Sequence, residues 1–154
     1  MKTAYERFID AVAYAMESHS PEIEWFYDFD EQDTVPYMPY MDCRPDCNHR
    51  LLRIEPLDSR TGFNIMEDFV DTVKDETDQD KLWSALNQRH PFSAFRNMLH
   101  YTNQREAWFQ YKAERMKHII ERWMRDYDIT YEDGLFKCDN TVMFECNEDW
   151  DDEE

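Results

Sequence analysis

The chain has 154 residues, 42% of them hydrophobic and 16% aromatic, and its 17 Lys and Arg against 35 Asp and Glu leave a formal charge of −18. That apolar content excludes a disordered chain, and that charge repels nucleic acids and anionic membranes. With only two glycines, Gly62 and Gly134, glycine-rich phosphate cradles and the two-glycine elbow of a nucleophilic serine are excluded as well.

Tyr5, Phe8, Ile9, Val12, Ala13 and Met16 repeat at spacings of three and four, with Thr3 three residues before Glu6. This pattern predicts an amphipathic helix over 3–17 that begins with a capping box. The aromatic run EIEWFYDF, followed by DEQDT, predicts a hairpin over 22–38. Pro36, Pro39 and Pro45 then make residues 39–49 a loop, and Arg50–Glu55 reads as a third strand.

Asp58 or Ser59 caps a helix carrying Phe63, Ile65, Met66, Phe69, Val70 and Val73, expected to end near Asp75. Thr77 is the expected cap of a shorter helix with Leu82, Trp83 and Leu86, and Pro91 opens another with Phe92, Phe95 and Leu99. A long helix is expected over 104–127, with a broad apolar stripe from Trp108 to Tyr127. LFKCDNTVMFE, residues 135–145, reads as two short strands around Asp139-Asn140. The expected fold is α+β and predominantly helical: an N-terminal helix, a small antiparallel sheet, a four-helix cluster and a C-terminal hairpin. Residues 1–146 form one domain in this reading, and 147–154 an acidic, disordered tail.

Charge is unevenly distributed, at −12 over residues 1–88, +5 over 89–125 and −11 over 126–154. The N-terminal residues carry Glu6, Arg7 and Asp10 and lack an apolar secretory core, so a cytoplasmic chain with reduced thiols at Cys43, Cys47, Cys138 and Cys146 is expected.

The early helix, WFYDFDEQDTV, RLLRIEPLDSRTGFNIMEDFV, LWSALNQRHPFSAFRNML and REAWFQYKAERMKHIIERWM together resemble an uncharacterised bacterial protein family of acidic, cytosolic proteins without an assigned activity. The resemblance covers about residues 3–125, and its most specific pieces are Met66-Glu67-Asp68-Phe69, Pro91-Phe92 with Phe95-Arg96, and Trp108. It implies a fold and a bacterial setting, and it assigns no catalytic residue. Where relatives place a glycine in the hairpin turn, this chain has Gln32-Asp33.

Three functional readings follow from the residues. In the leading one, the protein is a non-enzymatic acidic interaction protein. It binds a basic or nucleic-acid-binding protein through Asp28, Asp30, Glu31 and Asp33 of the hairpin and Glu148, Asp149, Asp151 and Asp152 of the tail, without touching nucleic acid or membrane itself. In the second, a small anionic ligand or substrate is held by the arginine-rich helical half at Arg96, Trp108 and Arg115. In the third, Cys43, Cys47 and His49 hold a structural zinc; otherwise no cofactor is expected. Asp28-x-Asp30-x-Gln32 resembles the start of a calcium loop but lacks its central glycine and closing glutamate.

Overall fold

In the computed structural model, which describes residues 1–41 and 44–144, helix α1 spans Ala4–Glu17. Thr3 Oγ1 accepts a hydrogen bond from the Glu6 amide at 3.1 Å, satisfying one of the donors a helix start leaves unpaired. Its apolar stripe of Phe8, Ile9, Val12, Ala15 and Met16 is buried against a three-stranded sheet. The chain forms five α-helices and two small antiparallel sheets among the described residues, so the fold is α+β and helix-rich.

The described chain packs as two compact units. The first contains residues 1–56 and those from 119 onward. In it, β1 (Glu24–Asp28) is the central strand between β2 (Asp33–Tyr37) and β3 (Leu51–Ile54), all antiparallel. Pro36, which has no amide hydrogen to give a ladder, sits on the edge strand opposite Trp25. Phe26, Tyr27 and Asp28 are buried in succession because β1 is covered on both faces. Phe26 meets Tyr37 and Phe144 edge-on, while Tyr27 meets Phe8 and Phe29. Leu51 exchanges two backbone hydrogen bonds with Val142, at 2.9 and 2.8 Å, so the far side of β3 is paired at its start.

A second sheet pairs β4 (Thr130–Glu132) with β5 (Leu135–Lys137). This corrects the expected turn at Asp139-Asn140. The turn lies at Asp133-Gly134, whose φ values of 53° and 78° are the left-handed pair that a tight two-residue hairpin requires and that glycine tolerates best. Phe136 on β5 stacks on Phe8 with ring centroids 3.9 Å apart, tying this hairpin to α1.

The second unit, residues 57–118, contains α2 (Ser59–Thr72), α3 (Glu76–Leu86), α4 (Pro91–Leu99) and the first part of α5 (Arg105–Asp126). Asp58 caps α2 as expected, its carboxylate accepting from the Thr61 amide at 2.7 Å, which also holds the Asp58 carboxyl below its ordinary pKa. The cap of α3 is Asp75 rather than Thr77, since Asp75 accepts from the Asp78 amide at 2.9 Å. Phe69, Phe95 and Trp108 meet at the middle of this unit. No helix of the described residues is long and apolar enough to cross a membrane.

Candidate functional site

The β1–β2 turn gathers the polar groups of the first unit. Asp28 ends β1 with no exposed surface, and its Oδ1 accepts from the amides of Asp30 and Glu31 at 2.9 and 3.0 Å. Its other oxygen lies 2.7 Å from His49 Nδ1. A carboxylate buried without partners would be expensive, and these three hydrogen bonds remove that cost. Asp28 is therefore a brace inside the fold and is not available to a protein partner, which corrects its expected place on an interaction surface. Asp30, Glu31 and Asp33 are exposed around it.

His49 reaches this turn from the loop before β3, and its hydrogen bond to the Asp28 carboxylate holds its pKa above the ordinary value, with Asp46 and Asp30 adding to the effect. Next to it, the Arg50 amide donates to Asp30 Oδ2 at 2.6 Å and the Phe29 amide donates to the Arg50 carbonyl at 2.8 Å. Ligand atoms of Asp28, Asp30 and His49 lie within 4.8 Å of one another, as do those of Glu31, Asp46 and His49. Sequence reasoning noted the Asp28-x-Asp30 spacing and noted His49 separately, but nothing local signals that residues 21 apart meet.

Gln32 closes the turn in a left-handed conformation, φ 57°, that glycine would adopt more cheaply. Its amide nitrogen donates to the Phe29 carbonyl at 2.7 Å and to the Phe136 carbonyl at 2.8 Å, while its oxygen accepts from the Phe136 amide at 2.8 Å. A cleft of about 320 Å³ beside it is lined by Phe29, Asp30, Arg50, Phe136, Lys137 and Asp139 among others.

Of the cysteine and histidine trio, Cys47 and His49 are among the described residues. Cys47 is disulfide-bonded, contrary to the reduced state expected, and a sulfur in a disulfide is not the thiolate that zinc requires. His49 turns its Nδ1 toward Asp28, and Cys43 lies outside the described residues. Cys138 is buried, which raises its thiol pKa, and its sulfur donates to the Tyr127 carbonyl at 3.2 Å. Cys146 and the acids Glu148, Asp149, Asp151 and Asp152 also lie outside the described residues.

In the second unit the three residues of the arginine reading have separate surroundings. Trp108 is buried, with its ring centroid 5.3 Å from that of Phe69 and 4.9 Å from that of Phe95, so it is a core side chain and not a platform for a ligand. Arg115 donates to Asp68 Oδ2 at 2.9 Å and to the Tyr111 hydroxyl at 2.8 Å. Its guanidinium pKa is raised, chiefly by Asp68. Arg96 is exposed on α4. The one buried carboxylate of this unit is Asp78, whose Oδ2 accepts from the Asn103 amide at 3.2 Å and from Gln104 Nε2 at 3.1 Å.

Comparison with known sequences decides the family. The profile of the Uncharacterised protein family (UPF0158) matches residues 40–141, well over half of the chain. The chain belongs to the UPF0158 family. A UPF0158 protein of Pseudomonas aeruginosa is 33% identical over 81 residues, which are 52% of this chain and 53% of that protein. The alignment thus spans about half the length of each. No solved structure matches the chain. The segment matched by the UPF0158 profile begins after β1 and β2, so it contains His49 and the helical unit while Asp28 and Asp30 precede it.

Proposed function

We propose that this UPF0158 protein is a non-enzymatic, acidic interaction protein whose β1–β2 turn captures a basic partner protein, such as one that itself binds nucleic acid. The observation that supports this reading is the construction of the turn. Asp30, Glu31 and Asp33 are exposed on a backbone fastened from beneath by Asp28 and from the side by Gln32. Charges fixed before encounter lose less side-chain and backbone freedom on binding than charges on a loose loop. A formal charge of −18 supplies the long-range field that speeds association with a cationic surface and makes it sensitive to salt.

The test begins with the full chain immobilised and exposed to bacterial lysate at low and moderate salt, with retained proteins identified by mass spectrometry. The association rate of an identified partner is then measured for the wild type and for a Glu31→Gln, Asp33→Asn double variant. Slower association of the variant at low salt, converging on the wild type as salt rises, is the expected result. Equal rates at low salt would overturn the role of this turn.

A further inference from the structure

The geometry points to a binding site for one divalent transition-metal ion at the β1–β2 turn, with His49, Asp28 and Asp30 as its protein ligands and Asp46 and Glu31 within reach. Two donor triads share the same imidazole. The ligand atoms of Asp28, Asp30 and His49 lie within 4.8 Å of one another, and so do those of Glu31, Asp46 and His49. Two donors each about 2.0–2.2 Å from a single ion are at most about 4.4 Å apart, so this spacing is that of one coordination sphere after small side-chain adjustments.

The donors come from different parts of the chain and are held with different firmness. Asp28 is wholly buried and fixed by two backbone amides, so one carboxylate is immobile before any ion arrives. Asp30 is held by the Arg50 amide. His49 is only partly exposed, and its ring is oriented toward Asp28 at 2.7 Å. A solvated acidic face has neither a buried carboxylate nor a nitrogen donor directed into it. Four carboxylates around one imidazole also leave a local excess of negative charge that a dication offsets.

The donor set decides the class of ion. The Asp28-x-Asp30 spacing alone would suggest calcium, but the closing ligand here is an imidazole nitrogen, which calcium and magnesium bind poorly and zinc, cobalt or nickel bind well. Among the described residues no thiolate joins this donor group, which separates it from the cysteine-based zinc reading.

The experiment uses the full chain stripped of metal with a chelator and titrated calorimetrically with Zn²⁺, Co²⁺, Ca²⁺ and Mg²⁺. One equivalent of Zn²⁺ should bind with a saturable isotherm, and Ca²⁺ and Mg²⁺ should bind far more weakly. His49→Gln keeps a side chain that can hydrogen-bond to Asp28 and so tests the nitrogen ligand without removing the brace. It should weaken Zn²⁺ binding roughly 10–100-fold, and Asp30→Asn, at an exposed position, should weaken it as well. Co²⁺ should give a visible spectrum without a sulfur-to-metal charge-transfer band. Absence of a saturable Zn²⁺ site, unchanged affinity in both variants, or a thiolate band with Co²⁺ would each overturn the assignment.

Discussion

Gln32 and Phe136, 104 residues apart, are joined by a reciprocal pair of hydrogen bonds: the Gln32 side-chain oxygen accepts from the Phe136 amide and its nitrogen donates to the Phe136 carbonyl, both at 2.8 Å. The side chain thus behaves toward β5 as a strand backbone would. A third bond, from the same nitrogen to the Phe29 carbonyl, links the latch to the turn that carries the acids.

Gln32→Ala removes all three bonds and leaves the Phe136 amide and two carbonyls to find other partners. A loss of about 1–3 kcal/mol is expected in denaturant unfolding. Gln32→Glu is the sharper comparison, because its carboxylate can accept from the Phe136 amide but cannot donate to either carbonyl. It should lose stability nearly as Gln32→Ala does, and wild-type stability in this variant would show that the donated bonds contribute nothing.

Much of the helical layout was legible because it depends on neighbours in sequence. The Thr3 and Asp58 caps, the spacing of Phe8, Val12 and Met16, and Pro91 at a first turn all act within one or two helical turns. The expected cap at Thr77 failed for a local reason too, since Asp75 has its own side-chain oxygen placed two residues earlier. The C-terminal hairpin was misplaced because its strands are three residues long and mostly exposed, leaving no alternation of apolar and polar residues to read. Its Asp133-Gly134 turn was the usable signal. The site was only half legible. Asp28 and His49 meet through the pairing of β1 with β3, and no local pattern announces that a polar residue in an aromatic run will be buried as a brace.

The pH behaviour of the first unit follows from the Asp28 and His49 pair. The partner carboxylate raises the folded-state pKa of His49 above the ordinary 6.5. Its stabilising contribution is therefore fully present below the unfolded pKa and is lost as pH rises through the folded value. An NMR titration of the His49 ring should give a pKa above 6.5, and Asp28→Asn should remove most of the rise. A His49 midpoint that does not move in Asp28→Asn would show that the hydrogen bond is not its cause.

Trp108 separates a packing role from a ligand-binding one in the helical unit. Enclosed by Phe69 and Phe95, it should tolerate Trp108→Phe better than Trp108→Ala, and the alanine variant should lose about 3–5 kcal/mol in denaturant unfolding. A folded, fully stable Trp108→Ala protein would contradict the core assignment.

Asp78 is the buried carboxylate that fastens the segment between α4 and α5 onto α3. It accepts from the Asn103 amide and the Gln104 side chain, and it lies in the first turn of α3, where the helix dipole also favours negative charge. Asp78→Ala strands both donors in part-buried surroundings, so a loss of about 1–3 kcal/mol is expected. Asp78→Asn keeps an acceptor oxygen but loses the charge, and it should fall between the two. Hydrogen exchange at the Asn103 amide reads the contact directly: its protection should drop in Asp78→Ala by more than that of the Trp108 amide, which bonds within the chain to the Gln104 carbonyl at 2.8 Å. Equal protection of Asn103 in the variant and the wild type would show that this carboxylate does not hold the α4–α5 connection.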